Sequence, residues 1–246
     1  MSMAMNHSPN DILPDGFQMT ELGPLPADWR VVRLGEVGKV VTGRTPPTGR
    51  SGYWNGSIPF ITPVDLNDTR IRMAQRSITE EGLREAKPLS RGTVLVSCIG
   101  YIGKVGVVDS EVAVTNQQIN AVIPNLDKAN NWFLAYALML ETPLLRSRAR
   151  MTTVPILHKT NFERIPIPLP PLPEQRAIAY VLRTVQRAKE ATGRVIAALK
   201  ELKKSLMRHL FTYGPVPLGR VDRVPMQETE LGPLPAHWRV VRLGEV

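Results

Sequence analysis

The feature that most constrains the fold is a heptad pattern in the C-terminal third of the chain. From Glu174 to Phe211 the sequence contains one glycine, Gly193, and no proline. Nine residues in this stretch recur at alternating spacings of three and four: Ile178, Val181, Val185, Ala188, Thr192, Val195, Leu199, Leu202 and Leu206. Such a stripe is the narrow seam of a coiled coil rather than the wider apolar face of a globular helix. It predicts one helix about 57 Å long, at about 1.5 Å per residue.

A seam of this kind needs a partner helix. The rest of the sequence predicts no second helix of that length, so a second copy of the module or another chain has to supply it. The alternative is that the helix packs along its own domain. The other faces of the helix are rich in Lys and Arg, which fits a solvated surface as well as a basic rod beside DNA or an acidic partner.

Residues 19–165 differ from this helix because short β-branched runs alternate with Gly and Pro. Five runs predict strands: Trp29–Leu34, Ile58–Ile61, Thr93–Ile99, Lys104–Val108 and Gln118–Ile123. Two segments predict short helices, Thr79–Glu85 and Asn130–Leu140, and Asn130 could cap the second. The proline-rich run 166–173 predicts a stiff extended connector with no regular structure. The predicted fold class is α+β, a mixed, β-rich domain followed by a coiled-coil helix.

The two ends of the chain repeat each other. Thr20–Val37 and Thr229–Val246 are identical at seventeen of eighteen positions, with Asp28 facing His237 at the other one, and the offset is 209 residues. A period of that size is a domain rather than a solenoid repeat. We therefore expect a disordered polar tail at 1–18, one complete module, a linker at 212–228, and the start of a second module at 229–246.

The composition indicates a polyanionic partner. The formal net charge is +9 and the sequence pI is about 10.0, which favours nucleic acid over a membrane surface. The single cysteine, Cys98, lies in an apolar run and is expected to be a buried structural thiol in a reducing compartment. The apolar run Trp132–Leu140 is too short to span a bilayer, and residues 1–18 do not have the order of a signal peptide, so we expect a cytoplasmic protein.

Motifs for catalysis are weak. The sequence has no GxxxxGK[ST] loop and no GxGxxG after a strand, and its four histidines, His7, His158, His209 and His237, lie far apart. No cofactor or metal is therefore expected. One alternative is an Mg²⁺-dependent nuclease that uses Asp65, Glu85 and Lys87. That site requires a rigid strand, whereas Gly82 and Pro88 flank the Glu-Ala-Lys segment.

Several loops carry side chains that suit DNA recognition. Arg, Lys, Asn and Gln match base edges, and Lys and Arg also neutralise phosphates. The candidate residues are Arg44, Thr45, Tyr101, Lys104, Asn116, Gln117, Gln118, Arg148, Arg150, His158 and Lys159, and Arg146 belongs to the same basic cluster. Tyr101, Lys104, Gln117 and Gln118 are expected to approach bases, whereas Arg148, Arg150 and Lys159 are expected to hold phosphates.

Five segments resemble the specificity subunit of type I restriction–modification enzymes. They are LPADWRVVRLGEV (25–37), IPFITPVDLN (58–67), GTVLVSCIGYIGKVGVV (92–108), TNQQINAVI (115–123) and PIPLPPLPEQRAIAYVL (166–182). The last segment is the most specific, because it joins a proline-rich run, Glu-Gln and the start of the heptad helix.

The resemblance implies a subunit without catalytic activity. A full subunit of this family has two target-recognition domains, each followed by a long helix, and the two helices pair antiparallel. Each domain recognises half of a split DNA target, and the methyltransferase and restriction subunits supply the chemistry. This chain has only one such domain and one helix. The resemblance therefore implies either a natural half-length subunit or a truncated one, which binds double-stranded DNA and docks methyltransferase subunits. Because the heptad seam has no partner helix within the chain, we expect a homodimer through the helix 174–211.

Overall fold

The computed structural model describes residues 13–67, 70–150 and 153–245. The predicted tail at 1–18 therefore lies mostly outside the described residues. The chain divides into two compact units within its long helix, one ending at Thr184 and the other beginning at Val185. No helix in the described ranges combines the length and the apolar character needed to cross a membrane.

The N-terminal unit contains most of the strands. They are β1 (Phe17–Thr20), β2 (Gly23–Pro26), β3 (Arg30–Arg33), β4 (Gly38–Thr42), β5 (Trp54–Ile61), β6 (Arg70–Ile71), β7 (Arg76–Ile78), β8 (Leu89–Ser90), β9 (Val94–Ser97), β10 (Val105–Val108), β11 (Val112–Thr115), β12 (Ile119–Pro124) and β13 (Pro166–Leu169). The helices are α1 (Leu34–Val37), α2 (Glu80–Leu83), α3 (Asn131–Leu140), α4 (Thr142–Ser147), α5 (Lys159–Glu163) and α6 (Leu172–Tyr213). In the C-terminal unit, α6 is followed by β14 (Met226–Thr229) and β15 (Gly232–Pro235).

A five-stranded sheet of order β4-β12-β9-β10-β6 forms the centre of the N-terminal unit. It is antiparallel except for the β10–β6 pair. Strand β9 shows why these strands are apolar throughout: Val94 and Val96 face one core with α3, whereas Leu95 faces a second core with Ile61. A strand that is buried on both faces cannot alternate apolar with polar side chains. A second sheet, β7-β5-β11-β8, packs beside it.

The structure confirms the α+β prediction. Each of the five predicted strand segments overlaps a strand of the structure. Both short helices are present, and each begins at a capping side chain. The Thr79 hydroxyl accepts a hydrogen bond from the Gly82 amide at 3.1 Å, and the Asn130 side chain accepts from the amides of Trp132 and Phe133. The shorter strands β6, β7 and β8 were missed because two or three residues show no periodicity.

The prediction that residues 166–173 stop all regular structure is wrong. Pro166–Leu169 forms β13, which pairs antiparallel with β3, and Ile167 is fully buried. Two prolines are tolerated because they alternate with Ile167 and Leu169, so the missing N–H groups all fall on one edge of a two-stranded sheet. The long helix also begins at Leu172 instead of Glu174. Pro173 fits in its first turn, where a backbone N–H would have no helical partner.

Helix α6 has 42 residues, which corresponds to a length of about 63 Å. Its first turns belong to the N-terminal unit, where Gln175 and Ala179 are buried and Ile178 packs against the core. The indole N–H of Trp29 donates to a Glu174 carboxylate oxygen at 3.1 Å. These contacts attach the first turns of the helix to the rest of the N-terminal unit.

The sequence repeat is also a structural repeat, although only in part. In the first copy, the β1–β2 hairpin is closed by Gln18, whose side-chain amide donates to the Trp29 carbonyl at 2.6 Å. In the second copy, the β14–β15 hairpin has the same bond from Gln227 to the Trp238 carbonyl, also at 2.6 Å. The next run differs: Arg30–Arg33 forms β3, whereas residues 239–242 form no strand.

Candidate nucleic-acid interface

Three loops meet at one end of the five-stranded sheet. Strands β4 and β9 end there, and β10 and β12 begin there, because neighbouring strands among these four are antiparallel. We call this end the loop edge and define it as residues 43–45, 98–104 and 115–118. All four residues predicted to approach bases lie on it: Tyr101, Lys104, Gln117 and Gln118.

Hydrogen bonds between the Ser97 hydroxyl and the loop backbone stabilise the loop 98–104. The Ser97 hydroxyl donates to the Tyr101 carbonyl and accepts from the Lys104 amide at 2.9 Å. Gly100 and Gly103 have φ angles of 72° and 92°, a region that favours glycine. Tyr101 is 72% exposed, and the Lys104 ammonium donates to the Pro63 carbonyl at 3.2 Å while lying 5.7 Å from the centre of the Tyr101 ring. The loop therefore presents an aromatic face beside a fixed positive charge.

The loop 115–118 presents amide side chains that are held by their neighbours. The Asn116 side-chain nitrogen donates to the Gln118 side-chain oxygen at 2.8 Å, and the Thr45 hydroxyl donates to the Gln117 side-chain oxygen at 2.8 Å. This second bond joins residues that are 72 positions apart in the sequence. Oriented Asn and Gln amides are the groups that pair with adenine in the major groove.

Glycine at position 43 allows the first and third loops of the loop edge to approach. A Cβ atom at Gly43 would collide with the backbone of Asn116 and with Thr115. The Gly43 amide donates to the Ile119 carbonyl at 3.1 Å, which continues the β4–β12 pairing up to the loop edge. The side-chain bond between Thr45 and Gln117 therefore depends on a backbone contact that only glycine permits.

The segment after α4 lies against the loop 98–104. The Gly100 amide donates to the Pro155 carbonyl at 3.0 Å, and the Leu157 amide donates to the Cys98 carbonyl at 2.8 Å. The backbone of Arg150 pairs with Ile156, which brings Arg150 near the loop edge with its side chain exposed. His158 is also exposed and directly follows Leu157.

The remaining basic residues are more dispersed than the sequence suggests. Arg44 has its guanidinium 3.7 Å from the Glu85 carboxylate, and Arg148 is exposed just after α4. Lys159 lies 3.4 Å from the Glu163 carboxylate on α5, which packs beside β4. Lys159 therefore lies on the flank of the sheet instead of on the loop edge.

Sequence reasoning missed a cavity of about 340 Å³ beside Tyr101, lined by Gly100, Ile102, Arg146 and Pro155. Arg146 reaches it from α4 and donates from Nε to the Ile102 carbonyl at 3.2 Å. Sequence reasoning also missed Asn120, which is buried between the Thr42 hydroxyl and the Leu157 carbonyl. An asparagine in a run of buried apolar residues was the one signal that could have indicated it.

The nuclease hypothesis receives no support. Asp65 closes a turn, because its carboxylate accepts from the Thr62 amide, the Thr62 hydroxyl and the Gln75 amide. Glu85 pairs with Arg44, and no group of three or more His, Cys, Asp or Glu side chains within the described ranges could hold a metal.

Cys98 has no accessible thiol for nucleophilic chemistry. Burial raises the pKa of the thiol to about 12, so it stays protonated at neutral pH. This agrees with the expected structural role.

Comparisons with known proteins all find the same family. The family model for the type I restriction modification DNA specificity domain matches residues 26–201. The specificity subunit of the type I restriction enzyme MjaIX from Methanocaldococcus jannaschii is 29% identical over 244 residues, covering 94% of this chain and 54% of that protein. The MjaVIII specificity subunit of the same organism is 29% identical over 228 residues, covering 90% of this chain and 50% of that protein.

A solved structure shows the same fold. The crystal structure of the HsdS subunit from Thermoanaerobacter tengcongensis matches with a TM-score of 0.55 and 27% identity, over 81% of this chain and 48% of that chain. The chain thus spans about half the length of the curated relatives and of this structure.

Proposed function

The chain belongs to the type I restriction modification DNA specificity family, and we propose that it is a DNA sequence-recognition subunit of a type I restriction–modification complex. The observation that carries this proposal is the loop edge, where Tyr101 and the Thr45–Gln117 and Asn116–Gln118 pairs present aromatic and amide groups together. Loops on a rigid sheet can keep such groups in position for base edges. The net charge of +9 supports a polyanionic partner.

The proposed subunit performs no chemistry itself. Methyltransferase subunits dock on it and modify the DNA that it selects, and a restriction subunit supplies cleavage. The proposal is supported by the family membership and by the use of Asp65 and Glu85 in structural contacts. Arg150 is exposed near the loop edge and Arg148 is exposed just after α4. Both would contact phosphates, which holds the protein in register on the duplex without selecting a sequence.

We also propose that a second copy of this chain pairs with the heptad seam. The large apolar seam residues beyond Thr184, namely Val185, Val195, Leu199, Leu202 and Leu206, are between 44% and 65% exposed. A row of exposed aliphatic side chains at heptad spacing is stabilised when a matching helix covers it. Two identical chains related by a two-fold axis would recognise two identical half-sites, so the target would be an interrupted palindrome.

The proposal is tested by selection of duplexes from a random pool, using the full chain alone and together with type I methyltransferase subunits. We expect enrichment of one interrupted palindrome, with no cleavage when Mg²⁺ is added. Gln118→Ala and Lys104→Ala should each lower the discrimination at one base position by about 1–3 kcal/mol. Arg148→Ala and Arg150→Ala should weaken binding to all duplexes alike and leave the selected sequence unchanged.

Two outcomes would contradict the proposal. A pool that shows no enrichment in either setting would exclude sequence recognition. Cleavage of DNA by the purified chain with Mg²⁺ would instead favour the nuclease hypothesis. If Lys104→Ala and Gln118→Ala left both affinity and preference unchanged, the assignment of these two residues would be wrong while the proposed function remained.

A further inference from the structure

A second basic feature lies on the flank of the N-terminal unit. Three lysines, Lys39, Lys87 and Lys159, line one cleft of about 480 Å³, which we call the lysine cleft. They come from three separate parts of the chain: strand β4, the turn between α2 and β8, and the start of α5. The fold, and not a sequence motif, therefore brings them together.

The backbone of β4 determines the position of the lysine cleft. This strand is at the edge of the five-stranded sheet, so one of its sides is not covered by another strand of that sheet. Successive side chains point to opposite faces of a strand. Val40 is buried in the core that contains α3, whereas Lys39 is exposed. The apolar part of the lining is supplied by Val40, Val41, Ala86, Pro88 and Ile123.

The charge in the lysine cleft is only partly compensated. Glu163 lies 3.4 Å from the Lys159 ammonium, which is one carboxylate for three lysines. The nearest acidic residue in sequence to Lys87 is Glu85, and its carboxylate lies 3.7 Å from Arg44. No carboxylate occurs among the described residues that line the cleft. Positive groups held against an apolar wall concentrate a field that attracts an anion.

The lysine cleft adjoins the loop edge. Thr42 lines the cleft and is followed directly by Gly43, the first residue of the loop edge. Lys39 lies three residues before Thr42 on β4, which is about 10 Å at roughly 3.3 Å per residue. This distance is close to the width of the DNA major groove, about 12 Å. A duplex with its base edges at the loop edge would bring a flanking phosphate to the cleft.

We propose that the lysine cleft binds the sugar–phosphate backbone beside the DNA that the loop edge recognises. This inference rests on the proposed function and assigns the backbone contact on that side to Lys39, Lys87 and Lys159. It also gives the Glu85-Ala86-Lys87 segment a role other than catalysis. Glu85 holds Arg44 at the loop edge, while Lys87 faces the cleft.

The test is a salt titration of DNA binding, using the full chain, a duplex carrying the selected target and a random-sequence duplex of the same length. The variant Lys39→Gln with Lys87→Gln is compared with Arg91→Gln. Arg91 is an exposed cation that precedes β9 and so lies at the end of the sheet opposite the loop edge. Melting temperatures of all variants establish that they are folded.

Each lysine that contacts a phosphate contributes about 0.9 to the slope of log K against log salt concentration. For each bound chain we expect the double variant to lower the magnitude of this slope by about 1.8, which is about 3.6 for the proposed dimer on its two half-sites. Both duplexes should weaken by the same factor, and the target preference should remain. Arg91→Gln should leave the slope unchanged.

An unchanged slope in a folded double variant, with the unmodified chain still selecting its target, would overturn the lysine cleft and leave the proposed function standing. A loss of target preference in the double variant would also contradict the assignment, because it would place these lysines among the base contacts. If the unmodified chain bound neither duplex, both alone and together with methyltransferase subunits, both proposals would fall together.

Discussion

Gln175 connects the long helix to the β-rich unit through three hydrogen bonds. Its side-chain oxygen accepts from the Asn130 amide at 2.8 Å, and its side-chain nitrogen donates to the carbonyls of Lys128 and Pro170 at 3.1 and 2.8 Å. The residue is 1% exposed. Removing a buried polar side chain whose partners are all backbone groups lowers stability. The backbone groups stay buried but no longer have the hydrogen-bond partner that the side chain supplied.

We expect Gln175→Ala to lower the free energy of unfolding by about 2–4 kcal/mol, since it leaves three backbone groups without a partner. The matched control is Gln186→Ala on the same helix, where the side-chain nitrogen donates a hydrogen bond to the Glu190 carboxylate at 3.2 Å. The control should cost less than about 0.5 kcal/mol. Urea denaturation of both variants measures the difference, and equal effects would show that Gln175 does not fix the helix.

Gly43 permits the contact between the loops 43–45 and 115–118. Gly43→Ala should force these loops apart, because the new methyl group would overlap Thr115 and the Asn116 backbone. We expect a loss of about 1–3 kcal/mol in stability and reduced discrimination between DNA sequences. Gly49→Ala is the control in the same connection, since no atom lies within 4 Å of its added carbon. Thermal unfolding measures the loss of stability, and selection from a random DNA pool measures the loss of discrimination. A Gly43→Ala variant that behaves like Gly49→Ala in both experiments would contradict this prediction.

At the scale of secondary-structure elements, α6 has two differently packed parts. Its first turns are covered by the N-terminal core through Ile178 and Ala179. From Val185 onward the seam residues are exposed. Packing on the N-terminal core is therefore observed for the first turns, and the exposed part of the seam is the part that we propose to pair with a second helix.

The seam can be tested by placing charge on it. Leu199→Asp with Leu202→Asp should convert the proposed dimer into a monomer, because two carboxylates at the interface would lose their hydration. Ala197→Asp with Lys204→Asp adds the same number of aspartates on the opposite face of the helix and should leave the dimer intact. Light scattering at micromolar concentration distinguishes the species. An unmodified chain that is already monomeric, both alone and with methyltransferase subunits, would exclude the dimer.

At the scale of the whole molecule, the two copies of the repeat diverge after their hairpins. Strand β13 pairs with Arg30–Arg33 of the first copy. The second copy has the same WRVVRL run but no strand partner in the described part of the chain. The first copy is continuous with its own domain, so its pairing with β13 needs no further loop to be closed. The second copy would have to reach β13 through residues 214–225, at an additional entropic cost of loop closure.

We therefore expect a chain ended after Pro225 to keep its fold, its dimer and its DNA binding. Its melting temperature should change by less than about 2 °C, the shift that roughly 1 kcal/mol produces in a chain of this size. An insoluble product, or a fall of several degrees, would instead favour an exchange in which the second copy docks on β13 of a partner chain.

The sequence by itself determined the features that depend on neighbouring residues. The heptad spacing predicted the long helix, Asn130 predicted a helix start, and apolar runs predicted the central strands, because side-chain periodicity and capping act within a few residues. The family resemblance was also visible in local segments, above all in the run 166–182.

Only the tertiary structure decided which of these segments meet. The Thr45–Gln117 bond joins residues 72 positions apart, and the lysine cleft combines residues 39, 87 and 159. The pairing of β13 with β3 reversed the expectation of a free connector, because a partner strand supplied hydrogen bonds that proline content alone could not indicate. The order of the strands in the sheet determines which of these distant residues are in contact. That order depends on how the whole chain buries its apolar surface rather than on any local sequence pattern.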